Sequence, residues 1–184
     1  MGSQALLYPG LLEGFFPTMD PTPTTCNEDG LFQHLWLDQN NLDGKLPEEL
    51  YMLTFLRSLS FGANRLQGTI SSLVGQLTAL EGLVIKKLEN AGRIPTEMGL
   101  LTNLRALVLD NNDHQGYFPT ELWQLTNLET IYLGRNPKLK GMIPYQINTT
   151  SNLRWLGIGF NGFSGELLIL WYFSCCWLRF QSLN

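Results

Sequence analysis

The sequence predicts a solenoid of about six coils with a parallel β-sheet along one face, and three in-phase observations predict it. Apolar pairs separated by one residue recur at Leu35/Leu37, Leu59/Phe61, Leu83/Ile85, Leu107/Leu109, Ile131/Leu133 and Leu156/Ile158, with successive first members 24, 24, 24, 24 and 25 residues apart. Three residues after each pair stands Asn40, Asn64, Asn112, Asn136 or Asn161, with Leu88 as the exception. Further on, Gly44, Gly68, Gly92, Gly116, Gly141 and Gly165 keep the same phase, and most are followed two residues later by an apolar residue and proline, as in Leu46-Pro47, Ile94-Pro95, Phe118-Pro119 and Ile143-Pro144. The longer step has a visible cause, the extra residue that Pro137 and Lys138 bring between Asn136 and Leu139.

Each element follows from its residue types. Alternation in Leu35-Trp36-Leu37 turns the leucines inward and Trp36 outward, which is strand periodicity over a very short run. Stacking such strands one repeat apart makes a parallel sheet whose inward residues are buried only by neighbouring coils. The recurring asparagine suits a sharp turn, because its amide can satisfy backbone groups that the turn leaves without partners. Glycine before apolar-proline permits a conformation or an approach that a Cβ would hinder. Proline then restricts φ and removes an N–H, giving a second short extended segment followed by a partly 3₁₀-helical return. Leucines at steps of three, such as Leu50, Leu53, Leu56 and Leu122, Leu125, Leu128, close each coil. The third coil, with Lys86-Lys87-Leu88-Glu89-Asn90 at the asparagine position, is expected to be locally irregular.

At these residues the chain resembles the plant-specific class of leucine-rich repeats, whose unit reads LxxLxLxxNxLxGxIPxxLGxLxx. The clearest copies run from Leu35 through Asn40, Leu42 and Gly44 to Leu46-Pro47, and from Leu107 through Asn112 and Gly116 to Phe118-Pro119. The resemblance implies a leucine-rich-repeat solenoid, a right-handed α/β-type coil with its parallel β-sheet on the concave face and short second strands and 3₁₀ or irregular turns on the convex side. It divides the chain into a poorly ordered lead-in over 1–25, a repeat domain over 26–168 and an apolar non-repeat tail over 169–184. Cys26 through Leu31 resembles the end of the family's N-terminal cap, without its tryptophan or its earlier paired cysteines. The family includes receptor-like proteins and receptor kinases, which recognise ligands on the concave face, and inhibitors of wall-degrading hydrolases.

Composition narrows the function. With 12 Lys+Arg against 16 Asp+Glu and a formal charge of -4, the chain lacks the broad positive field that neutralises phosphates, so nucleic acid is not an expected partner. Three cysteines, two of them adjacent, define no disulfide framework. No Lys or Arg precedes the first apolar stretch, and Pro9, Gly10, Glu13 and Gly14 interrupt it, which argues against a secretory signal. The expected compartment is extracellular or cell-surface if the N-terminus is incomplete, and cytoplasmic otherwise. The apolar stretch Leu168–Leu178 is about half the ~20 residues of a spanning helix, so no transmembrane helix is expected. Asn148-Thr149-Thr150 is an N-glycosylation acceptor and the only direct hint of an extracellular life. His34 and His114 stand in different coils without metal-ligand spacing, and Asp38 and Asp110 are three coils apart, so no catalytic group, metal or cofactor is expected. A lone histidine such as His114 reads as a surface side chain.

The strand positions that face outward therefore carry the functional reading. Between the paired apolar residues they run Trp36, Ser60, Val84, Val108, Tyr132, Gly157, and before the pair His34, Ser58, Gly82, Ala106, Thr130, Trp155. One residue earlier stand Gln33, Arg57, Glu81, Arg105, Glu129 and Arg154, alternating in sign from Arg57 onward, so that each charge meets opposite-sign neighbours. Aromatic residues at both ends can anchor a partner or pack against capping segments. The charged column can be a solvated stabilising ladder or a peptide-binding face. The reading is a non-catalytic interaction module that binds a protein or peptide through His34, Trp36, Asp38, Arg57, Glu81, Lys86, Arg105, Asp110, Glu129, Tyr132, Arg154 and Trp155. An inhibitor of a secreted hydrolase and an intracellular scaffold are the alternatives.

Overall fold

The computed structural model describes residues 28–89, 91–143 and 152–164. Cys26, Asn148, the lead-in over 1–25 and the apolar tail over 169–184 lie outside the described residues.

Six three-residue strands arise where the apolar pairs predict them: β1 (His34–Trp36), β3 (Ser58–Ser60), β5 (Gly82–Val84), β6 (Ala106–Val108), β8 (Thr130–Tyr132) and β10 (Trp155–Gly157). They form one parallel sheet in that order. The register aligns Leu35, Leu59, Leu83, Leu107, Ile131 and Leu156 as direct neighbours. The second extended segments are β2 (Asp43–Lys45), β4 (Arg65–Gln67), β7 (Gln115–Tyr117), β9 (Asn136–Met142) and β11 (Asn161–Ser164), and all their pairings are parallel. Between the two layers lies the core, in which Leu59, Leu83, Leu107 and Ile131 meet Leu56, Leu80, Leu104 and Leu128 of the three-spaced series.

The returns are 3₁₀ turns over Glu48–Met52, Ser72–Gln76, Thr96–Leu100 and Thr120–Gln124. Pro47, Pro95 and Pro119 precede three of them with φ of -70, -67 and -61, the value the pyrrolidine ring imposes. Ser71 replaces proline in the second coil and caps the turn instead, its hydroxyl accepting the Leu73 N–H at 3.3 Å.

The asparagine ladder forms as expected, and each amide reaches back one coil. Asn64 accepts the Asn40 and Leu42 N–H groups at 2.9 and 3.1 Å and donates to the Leu37 carbonyl at 2.7 Å. Asn112 accepts the Leu88 N–H at 2.7 Å and donates to Ile85 and Leu109. Asn136 and Asn161 repeat the pattern on His114, Leu109, Asn136 and Leu133. Directly before each ladder position sits a non-glycine residue in the left-handed region: Gln39, Ala63, Lys87, Asn111, Arg135 and Phe160, with φ between 54 and 59. A second asparagine series, not evident in the repeat phase, ties the opposite edge. Asn103, Asn127 and Asn152 donate to the Thr78, Thr102 and Thr126 carbonyls of the preceding coils at 2.9 to 3.0 Å.

The expected irregularity of the third coil is present but confined to one side, and one other expectation needs correction. The third coil keeps its inner turn, because Leu88 is buried in the asparagine's place and its N–H is taken by Asn112, while Lys87 holds the common φ of 57. The irregularity falls on the outer wall alone. There the extended segment is reduced to isolated bridges, Gln67 with Glu89 and Gly92 with His114, and the outer layer divides into a β2–β4 pair and a β7–β9–β11 sheet. His114 is not a surface side chain. It occupies the inward position held by Leu66 and Leu139 in other coils and is 0% exposed.

Candidate functional site

The outward face of the six-stranded sheet and the turns that follow its strands carry the residues proposed for protein binding, though not as one open surface. At its first edge His34, Trp36 and Ser58 form a linked group. The Trp36 indole N–H donates to Ser58 Oγ at 3.1 Å, and the serine hydroxyl contacts His34 Nδ1 at 2.7 Å. The indole can only donate, whereas the serine hydroxyl and a neutral imidazole can each take either role, so Ser58 donates to Nδ1 or accepts from it according to the ring's tautomer. Burial, followed by the Arg57 charge, lowers the His34 pKa and favours this neutral ring. The two rings lie 5.8 Å apart between centroids. Ser58 is almost fully buried and its oxygen is engaged on both sides, so the pair holds Trp36 in place and presents no accessible nucleophile. Next to it Asp38 accepts the Gly62 N–H at 2.7 Å.

Across the middle the small outward residues are not exposed. Ser58, Ser60, Val84, Ala106, Val108 and Thr130 are all buried. A position's phase in the strand sets the direction of its side chain but not its exposure. Lys86 is also buried, at 7% exposure, with its ammonium 3.4 Å from Asp110. A charge so enclosed needs its partner, so Lys86 and Asp110 are a fixed part of the face.

The alternating charges pair as their sign order predicts. Arg57 places Nε 2.8 Å from Glu81 Oε1, and Arg105 places Nε 2.9 Å from Glu129 Oε1. Glu129 Oε2 also faces Arg154 at 3.5 Å. Glu129 is thus shared by two arginines, and Arg154, the outermost of them, keeps 71% of its side-chain surface in solvent. Beside it Trp155 is 38% exposed. Tyr132 lies across Gly157, where a Cβ would stand 2.4 Å from the ring. The glycine is therefore not a gap in the aromatic column but the floor on which Tyr132 rests.

Among the described residues no group of three His, Cys, Asp or Glu side chains could hold a metal ion, and no helix is long and apolar enough to cross a membrane.

In-phase parallel strands, an asparagine ladder and 3₁₀ returns define a leucine-rich-repeat solenoid, and residues 32–53 match the Leucine Rich Repeat family model. The chain is similar to the ectodomain of the Arabidopsis thaliana membrane receptor kinase GASSHO1/SCHENGEN3, solved in complex with CASPARIAN STRIP INTEGRITY FACTOR 2, at 33% identity and a TM-score of 0.67 over 72% of this chain and 16% of that one. It is equally similar to the plant peptide hormone receptor RGFR1 in complex with RGF2, at 30% identity and a TM-score of 0.69 over 76% of this chain and 25% of the receptor. A plant ice-binding protein matches at 27% identity and a TM-score of 0.69, over 75% of this chain and 45% of that one. The chain thus spans less than half the length of each of these proteins. No curated protein sequence matches it.

Proposed function

We propose that this chain is a non-catalytic recognition module that binds an extended protein or peptide segment along the outward face of its six-stranded sheet. The observation that carries the reading is the division of labour on that face. Its central charges neutralise one another, while aromatic side chains at the two ends, Trp36 at one and Tyr132 with Trp155 at the other, are held in position and remain partly accessible. Rigid, partly exposed aromatics are the residues that dominate binding energy at interfaces. The peptide-complexed receptors that share this repeat architecture support a peptide-like partner over other macromolecules. Arg154 adds a solvent-exposed cation beside the Trp155 anchor, and Lys86, Asp110 and the Arg–Glu pairs set the register between anchors.

The test is selection from a random peptide library on the intact chain, followed by affinity measurement on a variant with serine at 36, 132 and 155. Loss of binding by at least a hundredfold, with the circular dichroism spectrum unchanged, is the expected result. Undiminished affinity in that variant removes the assignment of this face.

A further inference from the structure

His114 is a buried titratable side chain that the proposed recognition face does not use. Its ring is fully enclosed, and neither nitrogen has a well-formed hydrogen bond. Burying imidazole this way is tolerable only while it is neutral, because a cation would lose its hydration with nothing to replace it. The backbone around it is a weak place in the wall. The bridge between Gly92 and His114 is one of the isolated bridges that replace a continuous outer strand in the third coil. Gln115 N–H donates to the Gly92 carbonyl at 2.8 Å, and His114 N–H donates to Asn136 Oδ1 at 3.1 Å. These bonds join the third, fourth and fifth coils at one point.

From this geometry we infer that His114 makes the outer wall acid-labile: protonation of the ring opens the junction between the third and fourth coils while the six-stranded sheet stays formed.

The charged groups around it do not rescue the cation. On the third coil Arg93 follows Gly92, the residue bridged to His114; Asp113 precedes it on its own turn, and Lys138 pairs with the following Gln115 on the fifth. Asp113 is the carboxylate that favours a proton on the ring, but it is held by Lys138 at 2.9 Å. Arg93 lies across Gly116, close to where a Cβ would stand. The Ala91 and Gly92 carbonyls favour the cation, yet the Gly92 oxygen already accepts Gln115. A protonated ring must draw these carbonyls out of the wall or leave the core. Burial lowers the His114 pKa from 6.5 to about 4. The folded junction therefore binds fewer protons than the open one, so its stability is complete above pH 6.5 and is lost as pH falls toward 4. Across that window the opening constant at pH 5 rises about thirtyfold over its value at pH 7.5.

Hydrogen–deuterium exchange of the intact chain at pH 7.5 and 5.0, corrected for intrinsic rates, reads this directly. Peptides covering 88–93 and 112–117 are expected to gain about thirtyfold in opening at pH 5, while peptides over β3 and β6 are unchanged. His114→Leu restores the residue type that other coils carry and is expected to abolish the gain. An equal gain in that variant, or none in the parent, overturns the inference. Should the variant fold poorly, a nuclear magnetic resonance titration of the parent decides independently, because the chain has only two histidines. One imidazole titrating far below 6.5 together with the 112–117 amides is expected, and two imidazoles titrating near 6.5 refute it.

Discussion

The first and fourth coils carry the two clearest copies of the repeat, and the structure buries them very differently. Leu107 and Leu109 are fully enclosed, and Asn112 is buried with its amide bonded on both sides. Leu35, Leu37 and Leu42 are only partly covered, and Asn40 is exposed, its side chain reaching no further than the Asp38 carbonyl at 3.2 Å. The motif is the same, and the difference among the described residues is what packs on it: the fourth coil lies between the third and the fifth, whereas the first pairs with the second alone. A repeat of this kind therefore has little stability of its own, and its leucines and amides gain their value from the coils that flank them.

Substitutions placed at matched positions in the two coils measure that difference. The largest gap is expected for the core leucines. Leu107→Ala should destabilise by about 3–5 kcal/mol, and Leu35→Ala by about 1–2 kcal/mol because part of its surface is already in water. Urea denaturation of the two variants decides it, and equal losses would mean that the terminal coil is as well packed as the internal one. Next comes the ladder: Asn112→Ala strands the Leu88 N–H and the Ile85 carbonyl in the core and should cost about 2–4 kcal/mol, whereas Asn40→Ala should cost less than about 0.5 kcal/mol since water replaces its bonds. A smaller effect is expected at the left-handed turn, where Asn111→Val should cost about 1–2 kcal/mol by forcing a β-branched side chain to φ near 59. Smallest is the exposed ion pair: Arg57→Ala should change stability by about 0–1 kcal/mol, an effect that shrinks further in 0.5–1 M salt.

Much of the fold was legible because periodicity reports burial directly. The positions of six strands, the glycine and proline punctuation and the asparagine ladder could all be read from residues spaced 24 apart. Three features were hidden for physical reasons. The left-handed residues before the ladder have no common identity, since Gln, Ala, Lys, Asn, Arg and Phe all occupy the position. The second asparagine series was visible only as the Thr-Asn pairs at 102–103 and 126–127, without a marker in the first two coils, where Phe55 and Ala79 stand instead. His114 looked like a surface residue because a polar side chain at an inward position breaks the pattern that identifies inward positions. On the sheet face the burial of Lys86 and Val108 was hidden too, because the phase of a residue in its strand encodes the direction of a side chain and not what covers it.

The backward reach of the ladder also bears on how the chain is made. Each turn is completed by an amide that lies about 24 residues downstream, as Leu88 is by Asn112 and Asn40 by Asn64. During synthesis the newest coil therefore always presents open backbone donors until its successor has left the ribosome, and the growing end is the adhesive one. A pause in translation, or a stop codon that falls between one turn and its asparagine, leaves that adhesive edge permanently in water.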